Sequence, residues 1–65
     1  MKTNDYTIAQ INIYRAAGTW YGARFGAAGE YDGCDEIDAS SEAEARAIVQ
    51  DEFPAAAVTR VPDIR

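Results

Sequence analysis

The nine residues 30–38, EYDGCDEID, are the part of the sequence most suited to chemistry, because five of them are carboxylates and none is basic. Clustered carboxylates can act as acids and bases, bind divalent cations, or imitate the phosphates of a nucleic acid. Each of these roles needs different surroundings, so the other residues of the chain decide between them.

The residue inventory argues against catalysis. The chain has no histidine and a single cysteine, Cys34, so the usual Ser–His and Cys–His nucleophiles are excluded. Carboxylates on both sides of Cys34 disfavour its thiolate, whereas reactive cysteines lie in electropositive surroundings. Paired carboxylates could exchange protons, but they need a concave, desolvated pocket that so short a chain hardly supplies. We therefore predict that the protein is not an enzyme.

The acidic run does not fit a known metal motif. Aligning Gly33 with the invariant glycine of an EF-hand loop places Ala28 and Ala39 where the loop needs Asp and Glu. One cysteine without histidine also excludes the usual zinc sites and an internal disulfide. We expect no cofactor and no metal site. Two interpretations of the acidic run stay open here: it associates loosely with a divalent cation, or it is simply a solvated acidic face.

Charge is distributed unevenly along the chain. Residues 30–52 carry a net charge of −8 and the remainder +3, which gives the total of −5. An acidic field of this kind repels phosphate backbones and membrane surfaces and speeds encounter with basic proteins. We therefore predict a basic, nucleic-acid-binding protein as partner, with no direct nucleic-acid or membrane binding. Stacking of bases on Trp20 and its aromatic neighbours is a weaker alternative, because the carboxylates would repel the backbone.

The length of 65 residues predicts a single domain over residues 1–65, acting as a monomer. A lone cysteine fits a reducing compartment, and the first ten residues contain no apolar run suited to a signal peptide or membrane span. We expect a cytoplasmic protein.

The elements that must position the carboxylates are strands. Alternating β-branched and aromatic residues predict strands at residues 6–15, 19–26 and 30–38, with Gly33 marking a bulge. The predicted core face comprises Ala9, Ile11, Ile13, Tyr21, Ala23 and Phe25. The predicted open face comprises Gln10, Asn12, Tyr14, Trp20 and Arg24.

One helix is predicted over residues 42–53. Ser41 and Glu44 have the spacing of a capping box, and Pro54 ends the helical pattern. An apolar stripe, suited to cover one face of the sheet, is formed by Ala45, Ile48, Val49 and Phe53. A short fourth strand fits residues 55–61. The predicted fold class is α+β: a three- to four-stranded antiparallel sheet with one helix packed on one face, in the order β-β-β-α with an optional final strand.

In the third strand, Tyr31 and Ile37 are the best core candidates, so the even-numbered residues should point outward. Alternate residues of a strand lie about 6.6 Å apart, close to twice the ~3.4 Å spacing of nucleotides along one DNA strand. A ladder of carboxylates could therefore imitate phosphates. Strict alternation directs Asp35 inward. The predicted partner-binding residues are Glu30, Asp32, Asp35, Glu36 and Asp38, with the aromatic side chains of Tyr14 and Trp20.

The strand–strand–strand–helix order, the acidic third strand, the helix opening SSEAEARAIV and the short length resemble the small virus-encoded anti-CRISPR proteins, especially acidic inhibitors of type I effector complexes. The resemblance covers most of the chain. It implies an inhibitor that occupies the lysine- and arginine-rich DNA channel of a CRISPR effector complex and blocks target DNA binding. On this resemblance Glu30, Asp32, Glu36 and Asp38 stand in for phosphates, and the partner is an effector subunit.

Two other readings of the same residues stay open. Charges on an edge strand prevent its pairing with other chains, so the acidic strand could serve solubility alone. The protein could also be a small regulatory or accessory binding module, antitoxin-like or from a phage, that uses the open sheet face or a sheet edge.

Overall fold

The computed structural model of the protein describes residues 7–63, which form one four-stranded sheet and one helix. In chain order the elements are β1 (Ile8–Ala16), β2 (Thr19–Gly26), β3 (Tyr31–Ile37), α1 (Glu42–Glu52) and β4 (Ala57–Arg60). The strands lie in the order β3-β2-β1-β4. The predicted α+β class, with one helix packed on a sheet, is confirmed. Residue 6, where the first strand was predicted to begin, lies outside the described residues.

The sheet is mixed because of its last strand. β1 pairs antiparallel with β2, and β2 antiparallel with β3. After β3 the chain passes through α1 to the opposite edge of the sheet, where β4 pairs parallel with β1. A helical crossover is the usual way to connect strands that run in the same direction. The predicted final strand is therefore present, but its direction departs from the antiparallel pairing expected for the sheet.

The turn between β1 and β2 decides which side chains face the helix. Ala17 and Gly18 form a two-residue loop in which both have positive φ, 53° and 83°, the conformation that matches the twist of paired strands. The loop places Arg15 opposite Trp20. Odd-numbered residues of β1 consequently share a face with even-numbered residues of β2.

The predicted face assignment of β2 is therefore wrong. Trp20 is 5% exposed and belongs to the core. Its odd-numbered neighbours Tyr21, Ala23 and Phe25 lie on the sheet face that carries Asn12 and Tyr14, away from the helix. The β1 assignment is correct for the two central isoleucines, Ile11 and Ile13, which are at most 1% exposed.

The core lies between α1 and the sheet. Its buried residues are Ile11, Ile13, Trp20, Ile37, Ala45, Val49 and Ala56. The helix reaches close to the sheet because Gly22 has no side chain: a Cβ at this position would lie 3.2 Å from Ile37 Cδ1 and 3.7 Å from Val49 Cγ1. In the predicted helical stripe Ala45 and Val49 are buried and Phe53 is half-buried, but Ile48 is 38% exposed, so its assignment to the core is wrong.

The helix begins at the predicted cap. Ser41 has an extended backbone, and its hydroxyl accepts a hydrogen bond from the Glu44 N–H at 3.1 Å. The return bond differs from the expected capping box: the Glu44 carboxylate accepts from the N–H and hydroxyl of Ser40, each at 2.8 Å. These bonds lower the pKa of Glu44, and the bond from the Ser40 backbone N–H has the larger effect.

Candidate functional site

The most acidic surface of the fold follows the outer strand β3. We call Glu30, Asp32, Asp35, Glu36 and Asp38 the acidic edge; all five residues are exposed. In the described part of the chain β3 pairs only with β2. Glu30 precedes the strand and Asp38 follows it. Glu36 lies opposite Tyr21 on the face away from the helix, and Asp35 lies opposite Gly22 on the helix face. Asp35 therefore lies on the helix face, as predicted, although its side chain is 70% exposed.

A bulge interrupts the regular alternation of β3. Arg24 pairs with Gly33 and Phe25 with Tyr31, which leaves Asp32 as an extra residue. Gly33 has φ of 118°, a region that L side chains rarely adopt. The predicted bulge at Gly33 is confirmed. Its consequence for Tyr31 was not foreseen: Tyr31 moves to the open face, where it is 64% exposed and contacts Phe25 edge-on with ring centroids 5.8 Å apart. The prediction of Tyr31 as a core residue is wrong.

Arg24 holds the bulge in place. Its Nε lies 3.5 Å from Asp32 Oδ2, its Nη2 donates to the Asp32 carbonyl at 3.0 Å, and its Nη1 pairs with Asp35. The guanidinium lies so close to Gly33 that a Cβ there would be 2.5 Å from Arg24 Nη2. Arg24 therefore compensates two of the five charges of the acidic edge. Strict alternation predicted an evenly spaced ladder of four equivalent carboxylates. The bulge interrupts that spacing, so the four carboxylates are not equivalent.

Three carboxylates of the acidic edge have no cationic partner within residues 7–63: Glu30, Glu36 and Asp38. Glu30 accepts a hydrogen bond from the Ala28 N–H at 3.0 Å, which orients the side chain without neutralising it. These three residues lie before, within and after β3. They carry the free negative charge of this edge.

A second group of charges joins the start of α1 to the end of β4 and the residues after it. Glu42 pairs with Arg46 at 3.3 Å and with Arg60 at 3.2 Å. Asp63 accepts from the Arg15 N–H at 3.0 Å and pairs with Arg60 at 2.8 Å. The bond from the Arg15 backbone, followed by that from Arg60, lowers the pKa of Asp63, and the bond to Asp63 raises the pKa of Arg60. Arg46 and Arg60 therefore have carboxylate partners within the fold.

Trp20 does not line an accessible surface, contrary to its predicted role as a contact residue. It is buried in the core, and the Cζ atoms of Arg60 and Arg15 lie 5.0 Å and 5.9 Å from its ring centroid. Both distances are within the range of cation–π attraction. The structure gives Trp20 a packing role.

Tyr14 lies on the open face as predicted. Its ring stacks on Tyr21 with centroids 5.6 Å apart, and its Oη lies at hydrogen-bonding distance, 3.2 Å, from Cys34 Sγ. The bond to Cys34 is the main cause that raises the pKa of Tyr14 to about 12. Cys34 is exposed. The open face thus joins two stacked tyrosines and the thiol to Glu36, a member of the acidic edge.

A narrow cleft, which was not predicted, separates α1 from β3. Its volume is about 100 Å³. Gly22, Ile37 and Val49 line its apolar floor, and Asp38, Ile48 and Glu52 are among the residues at its rim. The only usable sequence signal was the spacing of Ile48 and Glu52, one turn apart on the helix, which places both on the same side as the cleft.

Comparison of the chain with protein-family models, with curated proteins and with solved structures finds no match. Within residues 7–63, no helix is long and apolar enough to cross a membrane. The same residues contain no group of three or more metal-binding side chains placed to hold an ion.

Proposed function

We propose that this protein is a non-enzymatic acidic binding module that docks on the basic, nucleic-acid-binding surface of another protein and competes with the nucleic acid there. One observation carries the proposal: Glu30, Glu36 and Asp38 are exposed along an outer strand with no cationic partner among the described residues, whereas Arg60 on β4, at the other edge of the sheet, is paired with Glu42 and Asp63. Uncompensated charge on one edge attracts a basic surface and orients the approach to it.

The particular partner we propose is a type I CRISPR effector complex, as the resemblance in size, charge and element order implies. In this role the module acts as a monomer in the host cytoplasm and enters the channel that binds target DNA. Glu30, Glu36 and Asp38 take the places of phosphates, with Asp35 as a further exposed member. Asp32 serves to position the strand, because its side chain and carbonyl are both engaged by Arg24.

The experiment that tests this function is a binding titration against a purified type I effector complex at increasing salt, with and without target duplex DNA. Contacts between exposed charges weaken as salt shortens the Debye length. We expect affinity to fall steeply between low and high salt, and the duplex to displace the protein. Binding that is insensitive to salt and unaffected by the duplex would contradict charge mimicry.

A second candidate is a regulatory binding module that uses the open sheet face or the β3 edge. The observation that favours it is the exposed aromatic surface opposite the helix, where Tyr31 is 64% exposed beside Phe25. Aromatic residues are enriched at binding hot spots, and an unpaired strand edge can accept a partner strand. Binding through this surface would persist at high salt and would be lost in Tyr31→Ser, which leaves the net charge of −5 unchanged.

A further inference from the structure

We infer that the cleft between α1 and β3 receives one long cationic side chain, a lysine or an arginine, from the basic partner. The inference rests on the proposed function, because it names the chemistry by which that partner is anchored. It adds a site: the acidic edge attracts the partner, and the cleft binds one of its side chains.

The floor of the cleft suits an aliphatic chain. Gly22, Ile37 and Val49 line it, and the missing Gly22 side chain lets Ile37 Cδ1 and Val49 Cγ1 lie 3.2 Å and 3.7 Å from where a Cβ would be. A volume of about 100 Å³ is smaller than the ~150 Å³ that holds a benzene ring between apolar residues. The space is still large enough for an unbranched stem of a few carbons.

The rim of the cleft suits a cation. Asp38 and Glu52 both line it, and neither has a cationic partner within residues 7–63. Glu36 also lines it, but its register places it opposite Tyr21 on the other face of the sheet. Arg24 and Asp35 also line it, but they pair with each other. Two uncompensated carboxylates around an apolar floor complement a side chain that buries its methylene groups and keeps its charged end in water.

Ile48 supplies the remaining wall. It is one of two large apolar residues that the described part of the fold leaves exposed, at 38%, and it borders the cleft. A methylene stem lying between Ile48 and the sheet would cover this surface. Contact with Ile48 therefore favours a cation on a long methylene stem over a cation on a short one.

Two labelled peptides of equal charge test the preference directly: hexalysine, and a hexapeptide of 2,4-diaminobutyrate, whose stem is two methylenes shorter. Fluorescence anisotropy at low ionic strength and slightly acidic pH, where both are fully cationic, gives their affinities. Loss of two buried methylenes should weaken binding about tenfold. Equal affinities would overturn the cleft while leaving the acidic docking function standing, and absence of hexalysine binding would overturn both.

Matched variants locate the site. Glu52→Gln removes a rim charge, and Asp51→Asn removes the neighbouring exposed charge, which does not line the cleft. We expect Glu52→Gln to weaken hexalysine binding about threefold to fivefold and Asp51→Asn to change it less than twofold. Ile48→Ser, with charge unchanged, should abolish the difference between the two peptides, and far-UV circular dichroism verifies that it folds. Equal losses in Glu52→Gln and Asp51→Asn would overturn the site.

Discussion

Arg24→Met should destabilise the fold, because Arg24 holds the bulged outer strand through three polar contacts. The side chain is 20% exposed, and its carboxylate partners Asp32 and Asp35 are 40% and 70% exposed. Ion pairs this exposed contribute about 0.2–1 kcal/mol each. The bond from the guanidinium to the Asp32 carbonyl at 3.0 Å adds about 1 kcal/mol at a partly exposed site. Methionine keeps the length of the stem, so the expected loss is about 1–3 kcal/mol.

Urea unfolding followed by circular dichroism measures this loss. A slope of about 1 kcal/mol/M for so small a domain converts it into a midpoint shift of about 1–3 M. The difference from the parent should shrink in high salt, because the ion pairs are screened. Arg15→Met is the control, since the Arg15 side chain makes no ion pair within residues 7–63 and loses only its cation–π contact with Trp20 at 5.9 Å. An Arg24→Met midpoint that coincides with that of Arg15→Met would refute the clamp.

Three further changes probe other parts of the fold. Gly22→Ala should lower the free energy of unfolding by about 1–3 kcal/mol in urea melts, because its Cβ would lie 3.2 Å from Ile37 Cδ1. An unchanged midpoint would show that the helix and the sheet accommodate the added methyl group without cost. Ser41→Ala should cost about 1 kcal/mol through loss of the cap and leave partner binding unchanged, so a selective binding defect would contradict it. In ultraviolet titration Tyr14 should ionise near pH 12, and Cys34→Ala should return it toward the usual ~10. Because the folded pKa is the higher one, stability supplied by this bond is present below pH ~10 and lost as pH rises toward 12; a midpoint that rises across this interval would have the wrong sign.

The sequence predicted those features that local signals determine. Ser41, Glu44 and Pro54 located the helix, and Gly33 located the bulge. The face of β2 was mispredicted because Tyr21 and Phe25 look more core-like than Trp20 by residue type, while the register depends on the two-residue loop at Ala17 and Gly18. A loop of two residues pairs odd positions with even ones, whereas the predicted strand bounds left three residues, 16–18, between the strands.

The acidic edge was also predicted only in part. Its composition was evident from the sequence, and Glu30, Glu36 and Asp38 are exposed as expected. The role of Arg24 was not evident, because its contact with Asp32 and Asp35 depends on a strand pairing that local patterns do not specify. The cleft beside Ile48 arises only when helix and sheet are packed together, so no single segment encodes it.

Competition for DNA tests the central claim most directly. Purified type I effector complex is mixed with labelled target duplex, and the concentration of this protein that displaces half of the duplex is measured for the parent, the folded triple variant Glu30→Gln/Glu36→Gln/Asp38→Asn, and Asp51→Asn. Loss of three contact charges should raise that concentration about tenfold or more, and Asp51→Asn should leave it within about twofold. A triple variant that displaces the duplex as well as the parent does would contradict the account.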